Sequence, residues 1–210
     1  MRTTVFVPFR YSDRPHRRKH GPRGYEDYSS FKPWLRDEFA FRCAYCLERE
    51  MWYPDRASSF CVDHIEPRSR KPSLICKYQN LVYSCNRCNS AKQDQLILDP
   101  TSVAFASHLN VRQDGLIEGL STEGKELIEI LGLNETPAID NRRRYLLLIG
   151  LKDEFPDDPT VQRLFIQSFT FPSDLPDLTR LRPPDGNSRT GSERNGFHAL
   201  RSQGKLNEVY

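Results

Sequence analysis

A chain of 210 residues with 37% hydrophobic residues, 28% charged residues and 15 prolines supports one medium domain, or one small domain with appendages. The apolar share lies below the roughly 45–50% of an ordinary globular domain, which predicts a modest core and long irregular segments. The net charge of +3 is too small to define a partner class. No apolar run approaches the roughly 18–20 residues of a membrane-spanning helix, which excludes that class.

The opening Met1-Arg2-Thr3-Thr4-Val5-Phe6-Val7-Pro8 lacks the apolar run of a signal peptide. The expectation is a soluble, cytoplasmic protein without a membrane partner. In a reducing compartment its six cysteines argue for metal rather than disulfides.

Residues 1–30 form a basic segment with seven Arg or Lys against three acids. Val5-Phe6-Val7 reads as a short strand-like piece. Arg14-Pro15-His16-Arg17-Arg18-Lys19-His20 reads as irregular, either a solvated loop or an arm for a phosphate backbone. The spacing of His16 and His20 would suit a metal only on a helix, and this run supports none.

Residues 31–98 carry the densest pattern. A helix is expected over 33–42, with Pro33 in its first turn and Trp34, Leu35, Phe39 and Phe41 packing inward. Residues 58–65 read as a strand, with Phe60, Val62 and His64 on one face and Asp63 on the other. Pro67 ends it, and a basic loop runs from Arg68 to Ser73. A second strand is expected over 78–84, then a helix over 89–96 with Asn89 as its N-cap. Cys61 reads as a buried thiol, and Cys76 carries no assignment.

Past Asp99-Pro100 the character changes. Residues 99–182 are expected to form a β-hairpin around Gln113-Asp114-Gly115 and then a mainly helical region. Its helices are expected over 122–131, with a stop at Gly132, over 140–152 and over 160–169. Arg142-Arg143-Arg144 on the second is either a contact for DNA or a partner, or a solvated face. Residues 183–210 are expected to be a disordered tail, because 183–196 are rich in Pro, Gly, Ser, Asn and Arg.

The chemistry concentrates between Cys43 and Lys92. Cys43-Ala44-Tyr45-Cys46 and Cys85-Asn86-Arg87-Cys88 are two CxxC pairs. Each can form a knuckle presenting two sulfurs, and four thiolates suit a closed, structural Zn²⁺ site. Between the pairs lies Asp63-His64, and Asn89 follows the last cysteine.

Phosphodiester hydrolysis needs a base for water and a divalent ion to neutralise growing charge. A neutral His can accept the proton near pH 7, and Asp with Asn supplies hard oxygen ligands for Mg²⁺ or Mn²⁺. His64, Asp63 and Asn89 fit that set. Arg68, Arg70, Lys71, Arg87 and Lys92 are candidate phosphate contacts or plain surface charges. A zinc module that only binds nucleic acid or a partner protein is the competing reading.

The combined pattern CxxC…DHIxP…NL…CxxCN…K resembles the HNH endonuclease motif in its zinc-containing ββα-metal form. It matches at Cys43, Cys46, Asp63, His64, Pro67, Asn80, Leu81, Cys85, Cys88, Asn89 and Lys92. The resemblance covers roughly residues 31–98 and implies a ββα core with a four-cysteine zinc site; with the helices read beyond residue 99, the expected fold is α+β with a mainly helical C-terminal appendage. It implies His64 as the base that activates water, Asp63 and Asn89 as ligands of the catalytic ion, and Asn80 as the residue that holds the loop and orients the His ring. It implies DNA as substrate; base-stacking aromatics around the site are few, which favours duplex DNA, with RNA a further possibility. The Asp99-Pro100 exit, the Asp114-Gly115 turn and Leu131-Gly132-Leu133-Asn134 resemble HNH proteins of bacterial defence or mobile elements. That implies an ATPase or another defence-system subunit as partner.

Overall fold

The computed structural model of the protein describes residues 8–210, so the strand-like Val5-Phe6-Val7 lies outside the described residues. The first helix, α1 (Lys32–Glu38), has a proline in its first turn and buries Trp34 and Leu35. It stops where Ala40 and Phe41 take left-handed backbone, φ 50° and 57°. The Phe41 N–H reaches back to the Arg36 carbonyl at 2.8 Å, a helix-ending bond that turns the chain into the first cysteine knuckle.

Strands β1 (Phe60–His64) and β2 (Leu81–Cys85) pair antiparallel, with Phe60 opposite Cys85, Asp63 opposite Val82 and His64 opposite Leu81. Both α1 and the next helix pack against this hairpin. Every residue of β2 is therefore buried, and β1, where alternating faces were expected, is buried at four of its five positions. Only Cys61 of β1 is half-exposed; its thiol faces the Ser84 carbonyl, and burial raises its pKa to about 12. Residues 78–80, expected as strand, form a 3₁₀ turn ahead of β2.

Helix α2 (Asn86–Lys92) begins three residues before the expected start. Its N-cap is Cys85, whose sulfur accepts the Cys88 N–H, so Asn89 lies inside the helix rather than at its cap. It ends at Gln93, whose φ of 49° breaks the helix short of residue 96.

Strands β3 (Leu109–Val111) and β4 (Ile117–Gly119) form the expected hairpin, with Gly115 at φ +80° in its turn. Helix α3 (Thr122–Ile130) is capped by the Ser121 hydroxyl, and Gly132 stops it at φ +56°. Helices α4 (Thr136–Glu154) and α5 (Pro159–Phe169) pack together. No helix among the described residues is long and apolar enough to cross a membrane.

Arg142 corrects the expectation of a three-arginine contact surface. Its side chain is fully buried, with Nε donating to the Gly115 carbonyl at 2.5 Å and Nη2 to the Leu133 carbonyl at 2.6 Å. It fastens α4 to the hairpin turn and to the end of α3. Arg143 lies exposed on the Asp114 carbonyl, and Arg144 is exposed.

The two flanks are also ordered differently from expectation. The basic N-terminal run is pinned to the end of α1. Glu38 accepts from the backbone N–H of Lys19 and His20 and from the Tyr78 hydroxyl, and it pairs with His16 Nε2 at 2.7 Å. Residues 183–210 are not a free tail. Gly21 and Arg23 exchange backbone bonds with 185–188, and the Phe197 N–H donates to Asp37. Tyr210 stacks on Phe171 at 4.3 Å, beside Phe41 and Phe197. Composition missed this because isolated aromatics and backbone pairing do the anchoring, with no apolar run to signal it.

Burial opposes charge on Glu38, but its donors outweigh it and bring the pKa down from 4.5 to about 2. A depressed carboxylate pKa stabilises the fold above pH 4.5, and that contribution is lost as pH falls through about 2. Glu38→Gln is expected to lower stability at pH 7 by on the order of 3 kcal/mol. Urea melts of the two proteins should converge between pH 4.5 and pH 2; a constant gap across that window would contradict this account.

Candidate metal centre and catalytic cleft

The first knuckle closes through Leu47, whose N–H bonds the Cys43 carbonyl at 3.1 Å and whose φ is +64°. It docks on β2 through the Ala44 N–H to the Tyr83 carbonyl at 2.8 Å. The second knuckle is the capped start of α2. Together they bring the sulfurs of Cys43, Cys46, Cys85 and Cys88 within 4.8 Å of one another, all buried.

Tetrahedral Zn²⁺ with bonds of about 2.3 Å requires sulfur–sulfur edges of about 3.8 Å. The Cys46–Cys85 separation is 3.8 Å. Burial opposes ionisation of Cys46, whose pKa rises well above an ordinary thiol, while bonds from the other three sulfurs pull Cys43 well below. Four sulfurs this close and this dry call for a cation between them, and the donor set fits zinc.

A separate cleft of about 180 Å³ opens beside this cluster, lined by Asp63, His64, Asn89, Lys92, Tyr28, Pro67, Arg68, Gln93 and Asp94 among others. The structure therefore brings the expected Asp, His and Asn to one cleft. A larger cavity of about 270 Å³, lined by Arg10, Arg14, Lys19 and Arg42 with aromatic neighbours, contains none of these three.

His64 closes β1, and its Nε2 lies 3.0 Å from the Ile75 carbonyl. A carbonyl only accepts, so Nε2 carries the proton and Nδ1 keeps its lone pair. No protein group among the described residues bonds Nδ1. Partial burial lowers the His64 pKa, with Arg68 and Lys92 adding to the effect against the pull of Ile75 and Asp63. The ring is a neutral base at neutral pH.

Asp63 is almost fully buried. Its Oδ2 accepts the Tyr45 hydroxyl at 2.6 Å, and its Oδ1 accepts its neighbour's backbone N–H at 2.7 Å and the Lys92 ammonium at 3.3 Å. Burial raises the Asp63 pKa despite these donors. Asn89 projects from α2, and its side chain bonds no protein group among the described residues. One carboxylate and one free amide oxygen in a polar cleft suit a hard divalent ion such as Mg²⁺ or Mn²⁺.

Asn80 lies outside the cleft. Its amide oxygen accepts the Glu66 N–H at 2.8 Å, and its amide nitrogen donates to the carbonyls of Glu66 at 3.1 Å and Leu74 at 3.3 Å. It clasps both ends of the loop that leads to Ile75, the residue bonded to His64.

Two candidate phosphate contacts are engaged elsewhere. Arg87 caps α3 through the carbonyls of Leu131 and Gly132, both at 3.1 Å, because the carbonyls at that helix end need donors. Lys92 is 1% exposed and binds Asp63 and the His64 carbonyl, held there by the buried carboxylate. Arg68, Arg70 and Lys71 remain exposed; Lys71 pairs with Glu66 at 3.3 Å, and Arg68 lies over the Tyr28 ring.

Sequence reasoning missed Tyr28 and Tyr45. Tyr28 sits edge-on to the His64 ring, with centroids 4.9 Å apart. It lies in the basic segment, where no spacing connects it to the site. Tyr45 had a usable signal, its place inside a CxxC pair. Cys76 bonds the Glu26 carbonyl at 2.9 Å and takes no part.

Residues 43–95 match the family model described as HNH endonuclease. Over 119 residues the chain is 29% identical to Septu protein PtuB of Bacillus thuringiensis, a match covering 53% of this chain and 42% of that relative. Over 177 residues it is 27% identical to a protein named as a candidate HNH endonuclease of retron Vc95 from Vibrio cholerae serotype O1 biovar El Tor. That match covers 73% of this chain and 84% of the relative. The chain thus spans less than half the length of the first relative and most of the second.

Because folding and metal binding are linked in a small closed site, Cys85→Ser should remove zinc and lower the melting temperature sharply. Elemental analysis and a thermal melt check this together; a zinc-free wild type that melts like the variant would overturn the zinc assignment.

Proposed function

We propose that this chain, which carries an HNH endonuclease domain over residues 43–95, is a metal-dependent endonuclease that hydrolyses phosphodiester bonds in double-stranded DNA. The observation that carries the reading is His64. Its ring is held by the Ile75 carbonyl with Nδ1 bare, in one cleft with Asp63 and Asn89. A zinc module used only for binding has no need of that arrangement.

In the proposed mechanism, His64 Nδ1 takes the proton from an attacking water. The Nε2–H bond to Ile75 keeps the ring in the basic tautomer, and Asn80 holds the loop that carries Ile75. Asp63 and Asn89 would hold the catalytic divalent ion. When bound, that ion supplies charge neutralisation for the phosphate and the leaving oxygen. Arg68 lines the cleft, and Arg70 and Lys71 lie exposed further along the same loop, where they can meet backbone phosphates. Zinc, which the four cysteines would hold apart from the cleft, would be structural.

The two relatives bear the names of a Septu protein and a retron protein; on the proposed reading this chain serves genome defence, with an ATPase or another defence-system subunit as the partner to be sought.

His64→Ala is expected to slow plasmid cleavage at least about 10²-fold, the low end of a general base's contribution, with zinc content unchanged. Asp63→Ala and Asn89→Ala should also lose activity, but higher Mg²⁺ or Mn²⁺ should partly restore them by refilling a weakened site. Raising the metal should not restore His64→Ala, because metal does not replace the proton acceptor. Normal cleavage by His64→Ala, beside an active wild type, would end this reading. Preference for an RNA substrate in the same assay would reassign the substrate.

A further inference from the structure

Tyr45 stands between two of the zinc-site cysteines, yet its hydroxyl serves the other site. The side chain is 1% exposed, and the hydroxyl donates to Asp63 Oδ2 at 2.6 Å. The backbone around it is fixed as well. The Tyr45 carbonyl accepts the Tyr11 hydroxyl at 2.9 Å, and Ala44 is bonded to β2. The phenol is therefore a strut of set length from the sulfur knuckle to Asp63.

A carboxylate offers about four lone-pair sites. On Asp63, Oδ1 already accepts two donors, the His64 N–H and the Lys92 ammonium. Among the described residues, Oδ2 accepts from Tyr45 alone. The unfilled site belongs to the oxygen that Tyr45 holds.

We infer that Tyr45 is a positioning residue for the divalent ion: it holds Asp63 Oδ2 so that Asp63 enters the cleft as a one-oxygen ligand. The inference rests on the proposed reading of Asp63 as an ion ligand. It also links the two metal sites, since the zinc knuckle sets where the Tyr45 hydroxyl stands. Outer partners of ligating groups commonly change metal affinity or activity by about 10–100-fold when removed.

The test uses the full-length, zinc-loaded protein. Tyr45→Phe removes one oxygen and keeps the ring in its packing. Mn²⁺ binding is followed by the electron paramagnetic resonance signal of free Mn²⁺, beside Asp63→Ala and the Mn²⁺ dependence of plasmid cleavage. Tyr45→Phe is expected to weaken Mn²⁺ binding about tenfold and to raise the Mn²⁺ midpoint for cleavage by a similar factor, with zinc content unchanged and cleavage recovered at saturating Mn²⁺. p-Aminophenylalanine at position 45, which returns an N–H donor, is expected to restore affinity.

Wild-type Mn²⁺ affinity in Tyr45→Phe with only a lower melting temperature would overturn the inference and leave a packing role. If Asp63→Ala loses Mn²⁺ while Tyr45→Phe does not, this inference alone fails. If Asp63→Ala binds Mn²⁺ like wild type, Asp63 is not a ligand and the reading beneath fails with it.

Discussion

Four sulfurs within 4.8 Å of one another are the constraint on which the central unit depends. They join the turn after α1 to the corner between β2 and α2, segments far apart in sequence. Without a cation the cluster would be four buried thiols in mutual contact. The knuckle of 43–46 has a left-handed residue at Leu47 and follows two more at Ala40 and Phe41. Such backbone costs roughly 1–2 kcal/mol per residue, so its geometry is held from outside, by docking on β2 through the Ala44 N–H to the Tyr83 carbonyl.

The second organising force is buried charge. Asp37, Glu38 and Glu50 are each about 1% exposed or less, and every one is satisfied. Asp37 takes His20 and the Phe197 N–H; Glu38 takes the N-terminal run and Tyr78; Glu50 takes Arg36 and the Tyr83 hydroxyl. Unpaired, such groups would be strongly destabilising. Paired, they draw both flanks onto the helix that supports the hairpin. This is how a chain with a modest apolar share orders segments that composition alone would leave loose.

The two polar centres divide their tasks. The sulfur cluster is closed and dry, while the neighbouring cleft is open and lined by oxygen and nitrogen donors. They meet at Tyr45 and at α2, which carries Cys88, Asn89 and Lys92 within two turns. In the proposed nuclease, one helix thereby supplies a zinc ligand, an ion ligand and the cation paired with Asp63.

What was legible in the sequence was local. CxxC pairs, Asp63-His64 and Asn89 announce their chemistry through residue type and short spacing, and the hairpin turn at Asp114-Gly115 announces its backbone. The sequence by itself determined the ββα order, the four sulfur positions and the set of residues brought to the cleft. Tertiary structure decided where the charges went. Arg87 caps α3, Lys92 is buried against Asp63, Arg142 locks α4 to the hairpin turn, and residues 183–210 fold back through Phe197 and Tyr210. It also decided that Tyr28 lines the cleft against His64 and that buried Tyr45 bonds Asp63 from within the fold. A long cationic side chain reads the same whether it meets phosphate, solvent or a helix end. Its partner is set by contacts dozens of residues away, which no local spacing encodes.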